Sequence, residues 1–544
     1  MKKILITLPM ALLSAFLFSQ ESLPTTPIPK KKPVYEYLTA PDATTWLDKI
    51  QPADLKGFMA VLTSDSLEGR ETGQPGQRKA ADFIARQFEE MGLPPVGDNN
   101  SYFQKIFLSS ETWDKNELTV NGKEFKNLFN YYVYPGLTPD IGLVPIEDVF
   151  FAGYGIDDPK YSDYSTEKDW KGKAIVIYDG EPRRADSSFV ISGSKIVGSV
   201  WSNGWKKKAE AAKKRGVSAV FIIDPKIQES IKSNKLELSG FKMTPKTRAI
   251  DEKLAPTVFI SQEIAEEIIG KKLKKVVAAR EEIKATGKPS SVDLKAKIVL
   301  NLDKSVKSIE GSNVIGYIEG SDERLKKEFV FITAHYDHLG KRDSSIYHGA
   351  DDNASGTSTV IEIARALTEA KKAGKGPRRS VICMLVSGEE KGLLGSDYYT
   401  QFPIFPMDKT VADINIDMVG RVDEAHKGDP DYVYVIGADR LSTDLHKINE
   451  DSNSKYTQLK LDYKYNAKDD PNQFYFRSDH YNFAKNGVPV VFFFNGVHPD
   501  YHRPTDTMDK INFDKMAKIG KLAMATAWEV ANRNGRIRVD GKKE

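Results

Sequence analysis

Cysteine is almost missing from this chain: its 544 residues contain one, Cys383. That excludes an internal disulfide framework and any cysteine-rich zinc module. The setting of Cys383 in an apolar strand reads as buried and inert. Net charge is nearly absent too, since 79 Lys+Arg against 76 Asp+Glu leave +3. A chain so balanced exerts no global pull on nucleic acid or anionic membrane, and neither is expected as a partner. Beyond the N-terminus no apolar run approaches the ~20 residues of a membrane span, so no stable membrane insertion is expected once a signal is removed. No short-period repeat suggests a solenoid or propeller. Histidine is missing from most of the chain: all eight lie at or beyond His335, which confines histidine-dependent chemistry to the C-terminal part.

What is present supports a sizeable core, with 40% apolar and 10% aromatic residues, and rules out wholesale disorder. Lys2 and Lys3 precede an apolar stretch from Ile4 to Phe18. This is the pattern of a secretory signal peptide over 1–20, so an exported, periplasmic or secreted protein is expected. Residues 21–45, rich in Pro, Thr and Lys, read as a flexible lead-in. In 46–144, Leu55, Phe58, Met59 and Leu62 recur at helical spacing, as do Ala80, Phe83, Ile84, Phe88 and Met91. Residues 145–290 read as a smaller, β-rich or α/β unit without histidine. Residues 536–544 form a polar tail.

In 291–535 strands and helices alternate. Strands are predicted at 314–318, 329–334, 380–386, 411–418, 432–436 and 488–494, and helices at 357–370, 391–402, 480–485 and 513–532. The expected fold class is α/β: a mixed, mostly parallel sheet with helices on both faces.

Five short segments carry chemistry: His335-Tyr336-Asp337-His338, Gly349-Ala350-Asp351-Asp352-Asn353-Ala354-Ser355-Gly356, Ser387-Gly388-Glu389-Glu390, Asp417, and Tyr501-His502. Each follows or ends a predicted strand or opens a helix. Open α/β sheets bind ligands beyond the carboxyl ends of their strands, so all five could converge on one crevice. Two imidazoles and three carboxylates make a mixed N/O set suited to zinc, with manganese or cobalt possible. Two such ions could share one carboxylate, and of adjacent Glu389 and Glu390 one could coordinate while the other moves protons. Asp337, on the same face as His335 in extended backbone, could accept its imidazole N–H and fix the ligating tautomer. His338, His348 and His498 are read as structural.

At these residues the chain resembles the two-zinc aminopeptidase family, which includes secreted bacterial aminopeptidases and, more distantly, glutamate carboxypeptidase II and transferrin receptor. The similar stretches are 335–340, 349–356, 387–395, 415–420 and 501–507. The resemblance implies that His335 and Asp417 hold one zinc and Glu390 and His502 the other. Asp352, four residues before Gly356, would bridge them and precede a cis peptide. It also implies Glu389 as general base to a metal-bridged hydroxide, and Tyr501 as the group that steadies the oxyanion. Arg477, Asp479 and His480 match a segment that lines the substrate pocket. Leu67-Glu68-Gly69-Arg70 looks like the N-terminal part of the same domain, and 145–290 is similar to a protease-associated domain inserted into it. Arg503 departs from the threonine common at that position.

The function expected from this resemblance is removal of the N-terminal residue from peptide substrates by an exported enzyme with two zinc ions. A single-zinc glutaminyl cyclase, a carboxypeptidase of the same family and a binding protein on this scaffold are the alternatives.

Overall fold

The computed structural model describes residues 40–165, 169–238, 243–245 and 253–541. The signal peptide expected at 1–20 lies outside the described residues, as do most of the lead-in and the last three residues of the tail. Among the described residues no helix is long and apolar enough to cross a membrane.

The larger of two main sheets has eleven strands. Its middle is parallel: Ser380–Val386, Phe329–His335, Thr410–Ile416 and Val490–Phe494 lie side by side in that order. All four are fully buried along their length, as expected of strands covered on both faces. The flanks are antiparallel, with Ile298–Ile318 on one side and Tyr432–Ile436 on the other. Helices Pro52–Leu62, Pro75–Met91, Gly356–Lys372, Thr443–Ser452 and Phe513–Asn532 bury their apolar stripes in the core on one face. On the other face a second core gathers Phe331, Met384, Tyr434, Phe483 and Phe492 beneath Leu394–Gln401 and His480–Lys485.

The predicted strands and helices of 291–535 all form. The longest pairing was not anticipated at its true extent: Phe103–Val120 runs antiparallel to Ile298–Ile318 through a bulge at Trp113/Lys115. Val314 and Ile318 belong to the main core, whereas Leu118, Val120, Ile298, Leu300 and Leu302 belong to another. The middle of Ile298–Ile318 is largely exposed, so it lacks the alternation that marks a half-buried strand. That other core serves a six-stranded sheet built from Val292–Asp293, Val149–Phe151, Ala174–Tyr178, Ala219–Ile223, Thr257–Ile260 and Tyr131–Tyr132.

One buried cation ties the N-terminal helices to the main sheet. Arg70 is fully buried, and its guanidinium donates to the carbonyls of Leu62 (2.6 Å), Tyr336 (2.8 Å), His348 (2.7 Å) and Gly349 (3.0 Å). Three of these carbonyls, those of Tyr336, His348 and Gly349, lie in the loops around His335 and Asp352, and the fourth closes helix Pro52–Leu62, so the arginine joins those loops to the helix. Burial pushes its pKa down to about 10, against the attraction of Asp352, Asp337, Asp506 and Glu390, and it stays charged at neutral pH. Arg70→Met would leave several buried carbonyls without donors and is expected to lower the unfolding free energy by about 3 kcal/mol or more, measured by urea unfolding. Arg70→Lys should recover less than half of the loss, because one ammonium cannot reproduce the planar fork.

Candidate metal centre

Each strand of the parallel middle delivers chemistry at its carboxyl end. His335 closes Phe329–His335 and Asp417 follows Thr410–Ile416. Glu389 and Glu390 open a short turn after Ser380–Val386, and Tyr501 and His502 lie in the loop beyond Val490–Phe494. Asp352 comes from the loop that enters helix Gly356–Lys372.

That loop is held by its own side chains. Asn353 Oδ1 accepts the amides of Gly356 (2.8 Å) and Met418 (3.2 Å), and its Nδ2 donates to Ile416 O (3.0 Å). Ser355 Oγ donates to Asp351 O and accepts from Val419 N. Asp351 Oδ1 accepts the amide of Gly420 (2.7 Å). Asp506 accepts the backbone amides of Asp351 (3.0 Å) and Asp352 (3.1 Å). The Asp352–Asn353 peptide is cis. The two motif glycines are steric requirements: a β-carbon at Gly349 would collide with Asp352 O and the His338 ring, and one at Gly356 with Ile416 O and the Asn353 amide.

Asp352 occupies the centre. Its Oδ1 lies 3.4 Å from His335 Nε2, which is itself 3.3 Å from Asp417 Oδ1. Its Oδ2 lies 3.0 Å from His502 Nε2, which is itself 3.2 Å from Glu390 Oε2. One carboxylate thus faces two imidazole–carboxylate pairs, one on each oxygen. Glu389 stands near the first pair, its Oε2 3.9 Å from His335 Nε2.

Burial alone would raise Asp352, but the imidazoles of His338, His335 and His502 outweigh it and hold the carboxyl well below its usual range. Burial also works against the His502 cation, yet Asp352 and Glu390 lift it to about 10. The His502 shift reports the negative potential of its carboxylate neighbours, and the Asp352 shift reports the imidazoles that flank it. Glu389 moves the other way: burial, reinforced by Glu390, Asp417 and Asp479 against the pull of His335, raises it well above a normal glutamate.

The residues fit a pair of divalent cations. The donors are carboxylate and imidazole, the mixture zinc accepts. Glu390 Oε1 and both ring nitrogens of His338 are buried without a hydrogen-bond partner, a condition a cation would relieve. Two groupings have donor atoms close enough to share an ion: His335, Glu389 and Asp417, and His338, Asp352 and Glu390.

Three sequence expectations change. Asp337 was expected to take the His335 N–H through its carboxylate. Instead its backbone carbonyl lies 3.1 Å from Nδ1, with the carboxylate at 3.8 Å. The carboxylate is engaged by Thr72 Oγ1 (2.8 Å) and the amide of Glu389 (3.2 Å), because the chain turns after His335. Of the expected substrate contacts, Arg477 reaches the cleft with Tyr501, Glu389, Met418, Phe474 and Phe492. Asp479 and His480 do not, since both are buried at the start of helix His480–Lys485. Asp479 bonds Ser396 Oγ at 2.5 Å, and His480 stacks on Phe492 with centroids 4.6 Å apart.

Sequence reading also passed over residues that act here. Ser478 Oγ donates to Asp417 Oδ2 (2.7 Å) and accepts from Asn415 (2.9 Å). Arg70 and Asp506 anchor loops; both lie inside stretches noted for their resemblance, but neither was given a role. His338, read as structural, has its Nδ1 2.7 Å from Glu390 Oε1.

Residues 313–527 match peptidase family M28. The similarity to that family is carried by this part of the chain. A probable leucine aminopeptidase of Trichophyton verrucosum (strain HKI 0517) is 33% identical over 222 residues, 39% of this chain and 56% of that protein. Aminopeptidase YwaD of Bacillus subtilis (strain 168) is 29% identical over 237 residues, 41% of this chain and 45% of that protein. The chain therefore spans about half the length of the curated relatives it matches. Among solved structures, an aminopeptidase from Aneurinibacillus sp. strain AM-1 shares the fold with a TM-score of 0.52 at 18% identity, over 92% of this chain and 98% of that one.

The placement of His480 has a consequence for stability. Burial pushes its imidazole down to about 3, so the ring is neutral in the fold. Below about pH 6.5 an unfolded chain takes up a proton there that the folded one refuses, so stability falls as pH drops from 6.5 toward 3. His480→Phe is expected to remove about 2–3 kcal/mol of the stability difference between about pH 7.5 and pH 4.5. Urea unfolding at the two pH values checks this, and an unchanged difference would mean that the ring is protonated in place.

Proposed function

We propose that this protein is an exported metallo-aminopeptidase that carries two zinc ions and releases the N-terminal residue of peptides. The observation that carries the reading is Asp352, with one oxygen toward His335 and Asp417 and the other toward Glu390 and His502. These five residues would hold the ions. Such a pair supplies Lewis-acid polarisation of a carbonyl and lowers the pKa of water at the site. The names of the relatives from Trichophyton verrucosum and Bacillus subtilis support the choice of an aminopeptidase.

The chain's own residues do the rest. Glu389 lines the cleft and, with its carboxyl raised by burial and neighbouring carboxylates, accepts a proton from the attacking water and returns it to the leaving amine. Tyr501 also faces the cleft. Burial, together with Asp352, Glu390 and Glu389, holds its phenol above its ordinary value, so it remains a hydrogen-bond donor for a developing oxyanion. Phe474, Phe492 and Phe494 give the cleft an apolar wall suited to an uncharged side chain. We assign the six-stranded sheet to the protease-associated-like insert expected at 145–290, although its strands Tyr131–Tyr132 and Val292–Asp293 lie outside those bounds.

Metal content measured beside hydrolysis of a panel of aminoacyl chromogenic amides, with and without chelator, tests the reading. About two zinc ions and chelator-sensitive release are expected. One ion with cyclisation of an N-terminal glutamine peptide would replace it with the cyclase, and release from the other peptide end with a carboxypeptidase. No metal after reloading would leave a binding protein.

Glu389→Gln is expected to keep its metal while kcat falls by at least about 10²-fold. Loss of metal in that variant, or retention of full rate, would remove Glu389 from the role of base.

A further inference from the structure

His338 is not among the five residues assigned to the ions, yet the fold builds a place for it among them. The side chain is fully buried. Its backbone amide donates to Arg70 O at 3.3 Å, and Gly349 packs so closely on the ring that a β-carbon there would lie 2.5 Å from its Cγ. The ring is therefore held in one orientation. In that orientation Nδ1 stands 2.7 Å from Glu390 Oε1 and 3.7 Å from Asp352 Oδ2. The ring of His502 lies edge-on at 5.8 Å between centroids.

His338 Nδ1 and Glu390 Oε1 are within ion-pair distance but poorly aligned for a hydrogen bond, and His338 Nε2 has no hydrogen-bond partner. A buried imidazole nitrogen and a buried carboxylate oxygen placed together can both serve one cation. His338, Asp352 and Glu390 have donor atoms close enough to share an ion. We propose that His338 is a further ligand of the cation held by Glu390 and His502, so that the two cation positions are unequal. This rests on the two-cation reading above. The position on the Glu390 side would have two imidazoles and two carboxylates, against one imidazole beside Asp352 and Asp417 on the other. His502 is about one-third exposed, with a side-chain exposure of 36%, whereas His338 is at 0%. The added donor is thus the one that water does not reach, and it should make the ion on its side the slower to leave.

The test uses the full chain loaded with zinc and dialysed against graded chelator, with bound metal counted at each step. The parent is expected to lose one ion first and to keep the second at chelator concentrations at least about tenfold higher. His338→Phe should lose both ions together, its tighter affinity lowered by about 10–100-fold. Zinc-edge X-ray absorption of the parent holding one ion does not depend on how a variant folds, and should report two imidazoles around the retained ion. One imidazole there, or a His338→Phe protein that keeps its tighter ion like the parent, would overturn the assignment while leaving the two-cation reading intact. A parent that binds no zinc at any loading would overturn both.

Discussion

Four carboxylates, those of Asp352, Glu389, Glu390 and Asp417, are brought together in a largely buried place, and their mutual repulsion is the constraint that the surrounding structure answers. Buried like charges of this kind raise one another's pKa or require a countercharge. The fold supplies part of the answer with imidazoles on either side of Asp352. Behind them stands the guanidinium of Arg70, whose four hydrogen bonds all go to backbone carbonyls, so that its charge is not consumed by any single carboxylate. The remaining negative potential is what makes the site receptive to divalent cations.

The same constraint explains how the loops are fastened. Asn353, Ser355 and Asp351 bond the Asp352 loop to the Asp417 loop, and Asp506 holds the amides of Asp351 and Asp352. Asp337 fixes the amide of Glu389, and Ser478 takes the outer oxygen of Asp417. The candidate ligands are thus positioned mainly through the backbone of their loops, and Asp417 also through Ser478. Orientation of this kind leaves lone pairs directed inward, and it puts Glu389, not Glu390, on the wall of the cleft.

Much of the architecture around the candidate metal centre was legible along the chain. Helices 480–485 and 513–532 and strands 380–386 and 432–436 occur at the predicted residues, because continuous apolar runs or clear 3.6-residue spacing leave little choice. The pairing of Phe103–Val120 with Ile298–Ile318 was far less legible. Its two ends are buried in different cores and its middle in neither, so no single periodicity runs through it. Asp479 and His480 show the opposite error: residues in a recognisable segment were read as facing substrate, but the first turn of a short helix directs them into the interior.

By itself the sequence determined which residue types were available and at which strand ends they would stand. The resemblance to a known family, not the residues alone, separated Asp352 from Asp351 by the spacing to Gly356. Tertiary structure alone decided which atoms meet. Whether Asp337 uses its carboxylate or its carbonyl, whether His338 turns away from Glu390 or toward it, and which distant arginine holds the loops in place are matters of ångströms. They follow from the packing of segments more than 200 residues apart, as Arg70 and Tyr336 are. Local spacing carries no information on that scale, because a side chain's direction at a loop is set by what the loop packs against.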